Sequence, residues 1–285
     1  MSEYQYYEFQ AIDRPLTIEE QNEVASLSSR VDPHPRQAVF VYHFGNFRGN
    51  ELDVLARYYD AFFYIANWGT TRLVFRLPAD VVDEKLLRRY EADEFVVIHN
   101  RDKYLLVEFR IHDENGYGWT EGEGSLSGLL GLRDALLNQD YRIMYLGWLL
   151  GVASEWLYED LQEPPVPAGL GQLDTALRNF VKTFEVDNTL ISAAAQASSK
   201  IGANQSGGWE QAIEKLSAAE QKAWLMRLAE GELLLSLRFQ QQLAKSSPKA
   251  RHAIRKPRTV SKLLAQAKMA SRIADRLAKR RASAK

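Results

Sequence analysis

Residues 51–78, ELDVLARYYDAFFYIANWGTTRLVFRLP, carry the densest local signals in the chain. Leu52, Leu55, Tyr59, Phe62, Phe63 and Ala66 recur at three- and four-residue spacing, which predicts a helix with one buried face. Asn67-Trp68-Gly69 ends that helix, with Gly69 suited to the left-handed position past its last turn. Leu73, Phe75 and Leu77 then alternate with Val74 and Arg76, as in a strand with one strongly buried face. The stretch therefore reads as a helix feeding a strand through a glycine turn, at the centre of the core.

Working outward, Tyr4 to Ile12 alternates as a strand, with Tyr7, Phe9 and Ala11 on one side and Glu8 and Gln10 on the other. Pro15 closes it, and Thr17 with Glu20 forms a capping box for a helix to about Ser29. Ala38–Phe44 is a second strand. Beyond Pro78, a short helix over Ala79–Tyr90 precedes two strands, Phe95–Ile98 and Tyr104–Ile111, joined by a hairpin at Asn100-Arg-Asp-Lys103. Up to Ile111 the order is β-α-β-α-β-α-β-β. The predicted class is α+β, with one mixed sheet, packed helices and a start that permits a ferredoxin-like arrangement.

The second half of the chain reads as helical. After the acidic glycine-rich loop 112–125, helices are expected over 126–138, with Ser125 as N-cap, and over 141–157. Residues 163–172 are rich in proline and glycine and mark a linker. A helical domain over 173–244 follows, including a helix capped by Asp187 and a capping box at Ser217–Glu220. Residues 245–285 form a basic linker and tail helix with a weak, alanine-rich seam through Val260, Leu263, Ala267, Ala270, Ala274 and Leu277. Residues 1–162 make the α+β domain, and the body is expected to fold without the tail.

The composition excludes several classes. With no cysteine among 285 residues, disulfides, thiolate metal sites and cysteine nucleophiles are ruled out. The start, SEYQYYEFQ, has no secretory pattern, and the most apolar run, near Ile143–Val152, is too short to cross a bilayer. A cytoplasmic protein without membrane attachment is expected. The net charge of −1 hides a division: 14 of the 36 basic residues but only one of the 37 acids lie in 245–285. The tail thus carries +13 and the rest of the chain −14.

The segments YQYYEFQAIDRPLT (4–17), YYDAFFYIANWGTTRLVFRLP (58–78), DENGYGWTEGEGSL (113–126) and YRIMYLGWLL (141–150) together resemble a family of bacterial proteins over the first ~170 residues. The resemblance implies a bacterial cytoplasmic origin, and it brings no reaction or catalytic residue with it.

Two stretches are candidate sites. In the tail, Lys256, Arg258, Lys262, Lys268, Arg272, Arg276, Lys279 and Arg280 suit an acidic partner, either a protein or nucleic acid bound without sequence preference through counterion release. A solubilising terminus is the plain alternative, and a helix that docks on the acidic body of its own chain is another. In the acidic loop, Tyr117, Trp119, Glu121 and Glu123 suit a partner surface. The same loop offers Asp113, Glu114, Glu121 and Glu123 as ligands for a divalent cation, which would make the protein a metal-dependent enzyme. The loop matches neither G-x-G-x-x-G nor the P-loop, and its acids would repel a phosphate.

His34, His43, His99, His112 and His252 read as structural or surface residues, and no serine triad is suggested. The aromatic set Tyr58, Tyr59, Phe62, Phe63, Tyr64 and Trp68 reads as core rather than a ligand cage. The reading as a whole is a binding or adaptor protein, not an enzyme, with no cofactor.

Overall fold

Asp60 decides how residues 51–78 fold. The computed structural model describes residues 3–28, 31, 33–113, 122, 124–154, 157, 159–200, 209–245 and 258–282. Helix α2 (Glu51–Tyr58) stops at Tyr59, whose backbone is extended, and the chain continues as strand β3 (Ala61–Ala66). Between them the buried Asp60 carboxylate accepts the backbone N–H groups of Ile12 and Asp13 at 2.7 and 2.9 Å. The expected helix to Ala66 is therefore half helix and half strand. AFFYIA lies in a sheet covered on both sides, so it is apolar at almost every position and shows no alternation. An unbroken apolar run also satisfies helical spacing by default.

Strand β4 (Thr70–Pro78) returns beside β3 through the Asn67-Trp68-Gly69 turn. Gly69 does have the left-handed backbone expected of it, at φ +97, but at a hairpin tip. A Cβ there would lie 1.9 Å from the Asp113 carbonyl oxygen, so two independent constraints demand glycine.

The sheet is completed by β1 (Gln5–Gln10), β2 (Gln37–Tyr42), β5 (Val96–Arg101) and β6 (Tyr104–His112), in the order β2-β1-β3-β4-β6-β5. Every neighbouring pair is antiparallel. The class is α+β as expected, but the sheet is not mixed, and it lacks the parallel crossover of a ferredoxin-like start. Helix α1 (Ile18–Ala25) begins at the Thr17–Glu20 capping box. The Ala79–Tyr90 segment is helical only over α3 (Glu84–Leu87) and a 3-10 turn at Arg88–Tyr90. The β5–β6 hairpin turns at Asp102-Lys103, with Asp102 left-handed at φ 49.

One sheet face presents Tyr7, Phe9, Phe40, Phe62, Val74 and Leu106 to α1 and α2. The other is sealed by α4 (Gly131–Leu137), α5 (Arg142–Ala153) and α6 (Thr175–Thr183). There Phe109 meets Phe180 edge-on at 5.2 Å, and a Cβ on Gly147 would come within 2.8 Å of Phe109 and Val96. Ser125 does not cap α4: it precedes a 3-10 turn at Ser127–Leu129, and α4 continues from that turn without a side-chain cap.

Helix α7 (Asn188–Ala195) starts at Asp187, as expected. By contact the chain divides into two units, Met1–Lys200 with Pro257–Lys285, and Ile201–Lys256. The second holds α8 (Trp209–Glu214), α9 (Ala218–Ala229) and α10 (Leu235–Lys245) around Ala212, Leu216 and Leu243. The tail helix α11 (Val260–Ala282) belongs to the first unit and packs on α7. No helix among the described residues is long and apolar enough to cross a membrane.

Candidate functional site

The tail cations fall into three groups. Arg258 is turned inward: its Nε and Nη2 donate to the two oxygens of Glu163 at 2.6 and 2.8 Å, and Nη1 reaches the Ala193 carbonyl at 3.2 Å. The Glu163 side chain is 3% exposed and also accepts the Tyr145 hydroxyl. Burial and the Glu163 carboxylate both push the Tyr145 phenol far up. Lys262 and Lys268 are exposed on α11, whose Val260, Leu263 and Ala267 are buried. Arg272, Arg276, Lys279 and Arg280 lie within the α11 span, and Lys256 lies outside the described residues.

Tyr117, Trp119, Glu114, Glu121 and Glu123 also lie outside the described residues. At the near end of that loop, the Asp113 backbone pairs with Gly69 and the His112 ring lies 2.9 Å from the Thr70 hydroxyl. No group of three or more metal-ligating side chains occurs among the described residues. His99 is placed within β5 rather than at the hairpin turn, and its Nε2 donates to Glu108 Oε2 at 2.7 Å.

The sheet holds two arginine–carboxylate clusters that sequence reading did not single out. In the first, Arg133 on α4 is 1% exposed and grips Asp13 with both terminal nitrogens at 2.8 Å. It also donates to Asp60 at 3.3 Å and to the Arg76 carbonyl at 2.9 Å. Arg76 donates to Asp60 at 2.8 Å and to the Ala56 carbonyl, and its guanidinium covers the Tyr104 ring at 4.4 Å. Burial alone would raise the Asp60 pKa, but Arg133 and Arg76 outweigh it and hold the carboxyl below its usual range.

In the second, the 3%-exposed Glu108 takes Arg72 Nε at 2.7 Å on one oxygen and His99 on the other. Burial pushes Glu108 up, and the His99 hydrogen bond with the Arg72 charge pulls it below the ordinary glutamate value. The Arg72 guanidinium lies over the Phe62 ring at 5.6 Å, and Glu51 stands 3.9 Å from its Nη1. This cluster opens into a cleft of about 500 Å3 beyond the first turn of α2, lined also by Gln5, Tyr64, Trp68 and Arg110. A larger open depression, about 970 Å3, lies between α6 and α7 and is lined by exposed Arg178, Lys182, Glu185 and Asp187.

No family model, no curated protein and no solved structure matches the chain. What signalled the second cluster was faint. Arg72 and Glu108 are polar positions in otherwise apolar strands, but only the β4–β6 register puts them within reach of each other. Of the aromatic set read as core, five are buried, while Trp68 is 38% exposed at the cleft.

Proposed function

We propose that the protein binds a polyanionic partner, nucleic acid first, through the outer surface of α11, with the α+β unit as its platform. One observation carries the reading: the first half of α11 is anchored to the platform through Arg258, Val260, Leu263 and Ala267. The cations that follow therefore sit on a held helix rather than a loose terminus. Over 260–282 the sequence has seven basic residues and one acid. A helix of 23 residues is about 34 Å long, enough to follow several phosphates. A cytoplasmic location belongs to the same proposal: with no cysteine, the chain depends on no disulfide that a reducing compartment would open.

The test is binding of labelled duplex and single-stranded nucleic acid across a salt series. The full chain is compared with a variant carrying Lys262, Lys268, Arg272, Arg276 and Lys279 as glutamine. The intact chain should bind at low salt and lose affinity steeply as salt rises, by about 0.9 in log–log slope per phosphate neutralised on duplex. The five-fold variant should bind weakly with a flatter slope. Absence of low-salt binding by the full chain, or an unchanged slope in the variant, removes this reading.

A further inference from the structure

We infer that the cleft in front of Arg72 is a binding site for a small molecule that joins an oxyanion to a flat ring. Its floor is built by register: Tyr7, Tyr64, Arg72 and Arg110 are successive cross-strand partners on β1, β3, β4 and β6 and share one face of the sheet. Two arginines directly opposite each other, with Cβ atoms about 5 Å apart, repel, and such pairs cost stability in a sheet. Glu108 neutralises Arg72 from below, and Glu94 meets Arg110 only loosely, at 3.3–3.4 Å. An anion lying between the two guanidinium groups would offset that repulsion.

Arg72 is oriented for this task. Its Nε is committed to Glu108, which His99 braces from the other side, and the ring of Phe62 supports the guanidinium plane. Both terminal nitrogens, with four N–H donors, make no hydrogen bond among the described residues, although the side chain is only 17% exposed. A guanidinium fixed at Nε with its outer edge open is the arrangement that receives carboxylate or phosphate oxygens in pairs. Glu51 also lines the cleft, 3.9 Å from Arg72 Nη1 and beyond hydrogen-bond reach of it. The Tyr7 and Tyr64 hydroxyls both donate to Gln5 Oε1, at 2.6 and 3.2 Å, and burial pushes the Tyr7 phenol up to about 12 and the Tyr64 phenol up as well.

Trp68, on the hairpin tip, supplies the surface for a ring. The volume, about 500 Å3, is that of a small-molecule site and not of a polymer groove.

Carboxylate and phosphate bearers share this chemistry, and titration calorimetry on the full chain separates them. The probes are adenosine 5′-monophosphate, indole-3-carboxylate, adenosine and inorganic phosphate. At least one ring-bearing anion should bind saturably, and adenosine and phosphate alone should bind roughly tenfold or more weakly. Whichever anion binds identifies the source. Arg72→Gln and Arg72→Lys should each weaken that binding by roughly tenfold or more, because neither offers the paired donors. Trp68→Ala at an exposed position and Arg110→Gln at a half-buried one repeat the test where the Arg72 variants fold poorly.

The five-fold α11 variant should bind the same probe unchanged, so the cleft and the tail can fail separately. The inference is overturned if neither ring-bearing anion binds at millimolar concentration. It is equally overturned if adenosine binds as well as its monophosphate, or if binding is lost with the α11 cations and kept without Arg72 and Arg110.

Discussion

The two arginine–carboxylate clusters of the sheet use the same chemistry to opposite ends. Around Asp60, Arg133 spends Nε and both terminal nitrogens on protein acceptors, and the Asp60 oxygens are filled by backbone and arginine donors. Around Glu108 the carboxylate is equally full, but Arg72 has spent only one of its three nitrogens. The first cluster ties β1, β3, β4 and α4 together, and the one donor it leaves without an acceptor among the described residues, Arg76 Nε, is buried. The second is anchored on one side and open on the other. A buried charge whose partners are complete acts as a strut, whereas one held by a single edge is prepared for a guest.

The strongest way to break this comparison is Arg133→Leu. It would leave the half-buried Asp13 without its arginine and the buried Asp60 with Arg76 and two backbone donors, and removing one partner of a buried pair costs about 3–5 kcal/mol. Denaturant unfolding measures this directly, and a loss under about 1 kcal/mol would mean that the cluster is not a strut. The pH dependence supplies a second check. The folded Asp60 pKa lies below the unfolded value of about 3.9. Its contribution is therefore complete above that pH and is lost as pH falls through the folded pKa. The wild type should destabilise more steeply than Arg133→Leu below about pH 4.

Arg258 belongs to the closed kind, although the charge count placed it with the tail. Arg258→Ala should cost roughly 3 kcal/mol, since Glu163 would keep only the Tyr145 hydroxyl deep in the fold. It should also loosen α11 from α7, which hydrogen exchange in 188–195 would report as faster opening. Ending the chain at Ala244 goes further. It removes Val260, Leu263 and Ala267 from the core as well, so the shortened body is expected to lose stability rather than fold unchanged. Protection of α7 that is indifferent to Arg258→Ala would return the tail to the status of an appendage.

How far these roles were legible follows from how local their causes are. The capping boxes at Thr17–Glu20 and Ser217–Glu220 and the cap at Asp187 are written within four residues, and they stand where the sequence put them. The half-polar strands β1 and β6 were legible from alternation. β3 was not, because burial on both faces erased the period and left Asp60 as the only break. The docking of α11 on its own chain stood among the readings of the tail but was not decided, for a related reason: an alanine-rich seam is a weak signal beside so many cations. Both arginine clusters join residues far apart in sequence, 120 positions for Arg133 with Asp13 and 36 for Arg72 with Glu108. No spacing rule reaches that far: the antiparallel register brings Arg72 and Glu108 together, and the packing of α4 brings Arg133 to Asp13.

The smallest expected effect is the sharpest test of the open cluster. Arg110→Thr deletes a cation that faces Arg72 across β4 and β6 and that is 38% exposed. Its contacts to Glu94 are long and solvent-facing, of the kind that contribute little. Threonine suits a strand, and removing a like charge from a directly opposite pair relieves repulsion. The substitution should therefore leave stability within about 0.5 kcal/mol, with the sign toward stabilisation. It should also weaken the ring-bearing anion in the cleft. A strut residue would show the reverse pattern, a fall in melting temperature with ligand affinity following only as the fold is lost. Stability kept or gained while affinity falls is the behaviour of a residue held at its place for a ligand, since the long contacts to Glu94 are the acid pairing that Arg110 has in the free protein among the described residues.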